Sequence, residues 1–175
     1  MTITGLKVLG FDCFNTIFRM DKIERNEIKD YAKATVDKIG VDWEMWSPSP
    51  VWYELDAHPD ARAAIEAMRR SGYICATMSN GPVDLLHTLS RRNFIQWDMI
   101  TPIQLKRVWK RSPEAYLTLC DLFRVKPSEV GIVTANRTFG DVEVAESLGM
   151  RANVIRDESS EYRSLWDLYK DLEVV

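Results

Sequence analysis

Short apolar runs that alternate with segments of helical spacing are the feature of this sequence that most limits its fold. The runs cover residues 6–11, 73–78, 98–101, 130–134 and 152–155. Segments of helical spacing lie at 60–70, 83–92, 113–123, 141–148 and 161–172. Strands joined by helical crossovers pair in parallel, and the helices then cover both faces of the sheet. The pattern therefore predicts an α/β fold built on a parallel sheet of about five strands.

Residues 20–58 interrupt this alternation and form a predicted insert. Apolar positions from 21 to 39 recur at helical spacing, and Gly40 follows as a stop signal. Residues 41–58 are rich in aromatic side chains, and Pro48 and Pro50 prevent a continuous helix there. Because 175 residues suffice for one compact domain, we expect residues 1–175 to form a single domain that carries this small insert.

Composition and charge argue against several classes of partner. The chain carries 23 basic and 26 acidic residues, so it lacks the basic field that a nucleic acid requires. We expect neither export nor membrane insertion, because no basic and apolar leader and no long apolar stretch is found. Three widely spaced cysteines are typical of reduced thiols and predict a cytoplasmic protein. Trp43, Trp46 and Trp52 can pack the insert onto the core or onto a second subunit, so a homodimer is an open alternative.

Polar side chains collect where the predicted strands end, which is where open α/β sheets bind their ligands. Asp12 and Thr16 follow the first strand, and Ser79 and Asn80 follow the second. The other candidates are Lys110 before the helix at 113–123, Tyr116 within it, and Thr134, Asn136 and Asp141 after the strand at 130–134. An ammonium close to Asp12 would keep that carboxylate ionised for nucleophilic attack.

These residues resemble the four motifs of the haloacid dehalogenase superfamily, in the same order. The first is similar to Phe11-Asp12-Cys13-Phe14-Asn15-Thr16 and the second to Met78-Ser79-Asn80-Gly81. The third resembles the segment from Lys110 to Tyr116, and the fourth resembles Thr134-Ala135-Asn136 with Asp141. The resemblance implies a Rossmann-like sheet with the first strand central, a reduced cap at 20–58, and a small anionic substrate. It also implies that Asp12 is a nucleophile that forms a covalent aspartyl intermediate.

Two positions favour the halide-releasing branch of this superfamily, the L-2-haloacid dehalogenases. Phosphatases of the superfamily carry a second aspartate where this chain has Phe14, and a phenyl ring cannot protonate an alkoxide leaving group. They usually carry Gly-Asp where this chain has Ala135-Asn136. A halide ion leaves without a proton, so this interpretation needs no cofactor. It implies catalytic roles for Asp12, Lys110, Asn136 and Asp141, the last two positioning water, and substrate-binding roles for Phe14, Thr16, Ser79, Asn80, Tyr116 and Thr134.

Two other functions remain alternatives. The first is a phosphatase that uses Mg²⁺ bound by Asp12 and Asp141 and lacks the usual general acid. The second is a non-catalytic module that binds a partner through an exposed aromatic segment at 43–53. Lys110 itself has an alternative, a solvated basic face at 106–111. The relatives' halide-binding arginine also lacks an obvious counterpart, for which Arg19 and Arg25 are candidates or ordinary surface charges.

Overall fold

A four-stranded parallel sheet organises the computed structural model, which describes residues 2–37, 48–137 and 140–173. The strands are β1 (Val8–Phe11), β2 (Ile74–Thr77), β3 (Val130–Thr134) and β4 (Arg151–Val154). Their order is β2-β1-β3-β4, and every pair is parallel. The α/β class and the internal position of the first strand are thereby confirmed. Asp12 follows the end of β1 directly.

The predicted fifth strand at 98–101 is wrong, because backbone bonding to β2 is limited to a single bridge and side chains take the place of backbone partners on either side of it. Met99 makes an isolated bridge with Ala76. The Asp98 carboxylate accepts from the Cys75 amide at 2.8 Å. The Thr101 amide donates to the Thr77 hydroxyl at 3.0 Å. Regular pairing therefore stops on both sides of the bridge.

Helices flank the sheet close to the predicted positions. Those of the described residues are α1 (Arg25–Ala32), α2 (Ala61–Arg70), α3 (Val83–Arg92), α4 (Ile103–Lys106), α5 (Pro113–Phe123), α6 (Asp141–Ser147) and α7 (Leu165–Asp171). The short α4 was not predicted. The last helix begins later than expected because Ser164 caps it, its hydroxyl accepting from the Asp167 amide. No helix among the described residues is long and apolar enough to cross a membrane.

The insert contains less helix than the sequence predicts. Within the predicted span 21–39, α1 begins at Arg25 and passes into a π-helical turn at Lys33–Asp37. The end of that span and the tryptophans Trp43 and Trp46 lie outside the described residues. Farther along, a 3₁₀ turn at Pro50–Glu54 places Trp52 in the core.

Two apolar clusters cover the two faces of the sheet, as expected for a doubly covered parallel sheet. Leu9 and Phe11 of β1 point into one cluster, and Val8 points into the other. A methyl group on Gly10 would lie 2.6 Å from Leu119 Cδ1, so α5 packs close against β1 at this position. β1 is buried on both faces, and this fixes the chain that leads into Asp12.

Trp52 anchors the insert to the core. Its ring centroid lies 5.2 Å from that of Phe14 and 5.3 Å from that of Tyr31, and its side chain is fully buried. The prediction that 43–53 is an exposed aromatic segment is therefore wrong at Trp52. The physical reason is that this ring completes an aromatic contact between α1 and the turn after β1.

Candidate active site

The turn after β1 presents Asp12 to the carboxyl edge of the sheet. The Asp12 amide donates to the Val133 carbonyl, which ties the start of the turn to β3. Thr16 Oγ1 donates to Asp12 Oδ2 at 2.7 Å and accepts from the Ala135 amide at 2.8 Å. Asn15 has a left-handed backbone (φ 66°), which asparagine tolerates better than most residues. The turn thus orients one oxygen of Asp12 through a side chain of its own.

Lys110 is buried against Asp12, so the alternative of a solvated basic face is wrong. Its Nζ lies 2.7 Å from Asp12 Oδ1 and 2.9 Å from an oxygen of Asp141. The Lys110 amide donates to Asn80 Oδ1 at 2.7 Å, which fixes the chain just before α5. Only 2% of Lys110 is exposed. The carboxylates of Asp12 and Asp141 take the place of water as hydrogen-bond partners of its ammonium group.

Asp141 begins α6 and is completely buried behind the lysine. Tyr116 donates its hydroxyl proton to Asp141 Oδ1 at 2.6 Å. Thr134 Oγ1 donates to Asp141 Oδ2 at 2.9 Å and accepts from the backbone amide of Asn136 at 3.0 Å. These contacts hold Asp141, and through it the lysine, in one position.

Asn136 completes the shell of donors around the nucleophile. Its Nδ2 donates to Asp12 Oδ2 at 2.6 Å and to the Phe14 carbonyl at 3.2 Å. Together with Lys110 and Thr16, this amide satisfies both oxygens of Asp12. The arrangement stabilises negative charge on the carboxylate without any added ion.

A Mg²⁺ site built on Asp12 and Asp141 does not fit this donor set. The Lys110 ammonium lies between the two carboxylates, and the Asn136 amide already bridges Asp12 and the Phe14 carbonyl. Within 2–37, 48–137 and 140–173, no group of three or more His, Cys, Asp and Glu side chains could hold a metal. Magnesium requires an octahedral set of oxygen ligands, which these nitrogen atoms displace.

The second motif, at residues 78–81, supports this site through hydrogen bonds and close packing. Asn80 Oδ1 accepts from Lys110, and its Nδ2 donates to the Thr35 carbonyl of the insert at 3.3 Å. The Ser79 hydroxyl accepts from the Gly81 amide at 3.1 Å. A methyl group on Gly81 would lie 2.7 Å from the Phe14 ring, so glycine lets this ring pack down onto the motif.

Burial and charge set the ionisation of the central pair. Burial raises the pKa of Asp12 above the ordinary carboxyl value, Lys110 limits the rise, and Asp141 adds to it. Burial alone would lower the pKa of Lys110, but the carboxylates of Asp12 and Asp141 outweigh it and raise that pKa well above its usual value. The lysine therefore stays charged at neutral pH and can hold an ionised nucleophile beside it.

A cavity of about 460 Å³ opens above Asp12. Its polar lining comes from Asp12, Asn15, Asp21, Asn80, Lys110 and Asn136, and its apolar lining comes from Phe14, Met20, Ile28, Tyr31 and Ala32. Tyr116, Thr134, Ser79 and Asp141 are buried and lie outside this lining. Neither Arg19 nor Arg25 lines the cavity. The Arg19 guanidinium instead lies 3.8 Å from the Asp56 carboxylate.

Sequence reasoning missed a set of donors that holds the nucleophile turn from behind. His58 Nε2 donates to the Asn15 carbonyl at 3.0 Å, and Arg156 Nε donates to the Thr16 carbonyl at 3.0 Å. Arg156 is fixed in turn by Asp60 at 2.6 Å. Arg156 follows the end of β4, so the rule that sites gather at strand ends could have identified it. We call Arg156, Asp60 and His58 the turn brace.

Both the sequence and the fold of this chain are similar to those of haloacid dehalogenases. In sequence, the chain is 31% identical over 87 residues to (S)-2-haloacid dehalogenase 1 of Pseudomonas sp. (strain CBS-3), a match that covers 49% of this chain and 38% of that protein. It is 32% identical over 85 residues to (S)-2-haloacid dehalogenase 4A of Burkholderia cepacia, covering 47% of this chain and 37% of that protein. Each match thus spans less than half of the relative's own length. No protein-family model matches the chain.

The solved structures with this fold include L-2-haloacid dehalogenases. One aligns with a TM-score of 0.74 at 20% identity, over 95% of this chain and 98% of the other. The L-2-haloacid dehalogenase from Xanthobacter autotrophicus with chloropropionic acid covalently bound aligns at 0.68 and 20% identity, over 94% of this chain and 87% of that one. The predicted resemblance to the haloacid dehalogenase superfamily is confirmed.

Proposed function

We propose that this protein is a hydrolase of the L-2-haloacid dehalogenase type that acts on small halogenated carboxylic acids. The observation that carries the proposal is the Asp12 carboxylate, which faces the cavity while Lys110, Thr16 and Asn136 hold its two oxygens. The similarity to two (S)-2-haloacid dehalogenases supports the same reaction.

The reaction proceeds through an ester of Asp12. In the first step a carboxylate oxygen attacks the carbon that bears the halogen, a C–O bond forms, and the halide leaves with the electron pair of the C–X bond. In the second step water attacks the ester carbonyl, releases the 2-hydroxy acid and restores the carboxylate. One proton of the water passes to the leaving oxygen of the product and the other is lost to solvent, so each turnover yields one halide and one proton.

Each residue of the site has a role in these steps. Lys110 keeps Asp12 ionised and stabilises the charge of the tetrahedral intermediate in the second step. Asn136 lines the cavity and positions the attacking water. Asp141 is buried behind Lys110 and acts by positioning that lysine, with Tyr116 and Thr134 as its supports.

We further propose that the reaction needs no metal. Halide is a stable anion when it leaves, and the Asn136 side-chain amide already donates to both Asp12 and the Phe14 carbonyl. Both observations disfavour the phosphatase alternative.

The buried cysteines Cys13, Cys75 and Cys120 are free. A cytoplasmic location and a homodimer stay predictions from the sequence.

Halide release in isotopically labelled water tests the proposal. (S)-2-chloropropionate should yield chloride at the same rate with and without chelator, and Asp12→Asn should release none. With enzyme in excess in H₂¹⁸O, one turnover should place the label in the Asp12 carboxylate and leave the product unlabelled. Label in the product after that single turnover would exclude the ester, and no halide from any short 2-haloacid would overturn the proposed function.

A further inference from the structure

The cavity above Asp12 has two chemically different sides. Asp12, Lys110, Asn80 and Asn136 form a polar floor where the reacting carbon must lie. The apolar side chains of the lining are those of Phe14, Met20 and the α1 residues Ile28, Tyr31 and Ala32, which form an apolar wall. Such a division suits a ligand with one reactive, charged end and one apolar end.

The volume of the cavity exceeds what a three-carbon acid needs. About 460 Å³ falls within the range of roughly 300–1,000 Å³ that encloses drug-sized ligands. A two- or three-carbon substrate over Asp12 would leave the α1 side of the cavity to water. An alkyl chain along Ile28 and Ala32 would displace that water and gain about fourfold in binding for each buried methylene.

Charge at the cavity restricts the far end of the ligand. Of the described lining residues, Lys110 is the one cation, and it lies at the polar floor together with the side-chain amides of Asn80 and Asn136. Asp21, whose side chain is 63% exposed and lies 4.0 Å from that of Arg19, adds a carboxylate to the lining. A second carboxylate at the far end of the substrate would meet the apolar wall and this carboxylate, where no described lining residue supplies a cation.

We propose that the preferred substrates are monocarboxylic 2-haloacids with an unbranched apolar chain of about five to seven carbons. This inference rests on the proposed dehalogenase function and deepens it by naming the substrate class. The carboxylate and halogen lie at the polar floor, and the chain lies along α1.

Three bromoacids separate chain length from charge. We expect kcat/KM for 2-bromohexanoate to exceed that for 2-bromopropanoate by up to about sixtyfold, since three methylenes contribute about fourfold each. 2-Bromoadipate has the same chain length and a distal carboxylate, and it should fall roughly tenfold or more below 2-bromohexanoate. Bromide release that is equal for propanoate and hexanoate, or greater for adipate, would overturn the inference and leave the dehalogenase function standing.

A pair of variants on α1 locates the chain. Ala32→Phe fills the apolar side and should reverse the preference, lowering the hexanoate-to-propanoate ratio of kcat/KM. Lys29→Phe is the matched control, because Lys29 is exposed on the same helix and does not line the cavity. The control should keep the parent ratio, and an unchanged ratio in Ala32→Phe would contradict the placement along α1.

A binding measurement separates this inference from the chemistry. Hexanoate and propanoate carry no halogen, so their binding to Asp12→Asn involves no reaction. In calorimetry this variant should bind hexanoate more tightly than propanoate, because the longer chain buries more methylene groups. Equal affinities would overturn the chain preference. Bromide release from none of the three acids by the parent protein would instead overturn the proposed function.

Discussion

Lys110 neutralises only one of the two buried carboxylates it contacts, so the centre of the site carries one excess negative charge. Removing the lysine leaves Asp12 and Asp141 facing each other without a cation. We expect Lys110→Met to lower the free energy of unfolding by about 3–5 kcal/mol, in addition to abolishing turnover.

Asp12→Asn is the matched comparison, because it leaves a balanced Lys110–Asp141 pair. Urea denaturation should show this variant at least as stable as the parent, although it is inactive. If Lys110→Met unfolds at the parent's midpoint, the buried ion triad described for residues 12, 110 and 141 would be contradicted.

The raised pKa of Asp12 determines how activity responds to acid. Attack requires the ionised carboxylate, so kcat/KM falls as pH falls through the Asp12 pKa. Since burial raises that pKa, the acid limb should lie above the ordinary aspartate value of about 3.9. Asp141→Asn removes a neighbouring negative charge and should move the limb to lower pH, and an upward movement would contradict this electrostatic account.

The raised pKa of Asp12 also makes the free energy of unfolding depend on pH. The folded protein binds the Asp12 proton more tightly than the unfolded chain, so this residue's contribution to unfolding free energy falls as pH rises through the two pKa values. In Asp12→Asn this dependence should vanish, which thermal unfolding between acidic and neutral pH would show.

Between elements, the turn brace connects α2, the segment after β4 and the nucleophile turn. Arg156 reaches from its left-handed position (φ 62°) to the Thr16 carbonyl, and Thr16 in turn donates to Asp12. We expect Arg156→Met to lower kcat by about 10–100-fold with little change in KM, because a small displacement of a reacting group is costly. Arg156→Lys should recover part of the loss by keeping a cation near Asp60.

Arg69 provides the control for that experiment. It also forms an Arg–Asp pair, with Asp98 at 2.8 Å, but it lies on α2 and not at the nucleophile turn. Arg69→Met should therefore leave kcat unchanged. Equal losses of kcat in both arginine variants would show that the brace acts on overall stability and not on the position of Asp12.

How far the sequence predicts the elements depends on what determines each one. β1 and β3 are buried on both faces and appear as continuous apolar runs, and the side chains that follow them, Asp12 and Asn136, do meet. The pairing at 98–101 depends on where the Asp98 side chain points, which no local pattern encodes. The position of Arg156 after β4 was a usable signal, but its partner was not, because any residue at position 16 would supply the backbone carbonyl that Arg156 contacts.

At the scale of the whole molecule, the insert and the sheet share one apolar cluster. Tyr31 and Trp52 of the insert belong to the cluster that contains Leu9 and Phe11 of β1. Phe14 joins them, since it contacts both insert rings and lines the cavity. The wall of the site is thus part of the core, and loosening the insert also loosens the site.

This shared core predicts that the insert and the sheet unfold together. Tryptophan fluorescence, which includes the buried Trp52, and far-UV circular dichroism should give coincident urea transitions. Trp52→Ala should lower the free energy of unfolding by about 3–5 kcal/mol and keep the dichroism transition single, because the lost ring packs on both parts. A fluorescence transition at lower urea than the dichroism transition in the parent protein would show instead that the insert detaches before the sheet unfolds.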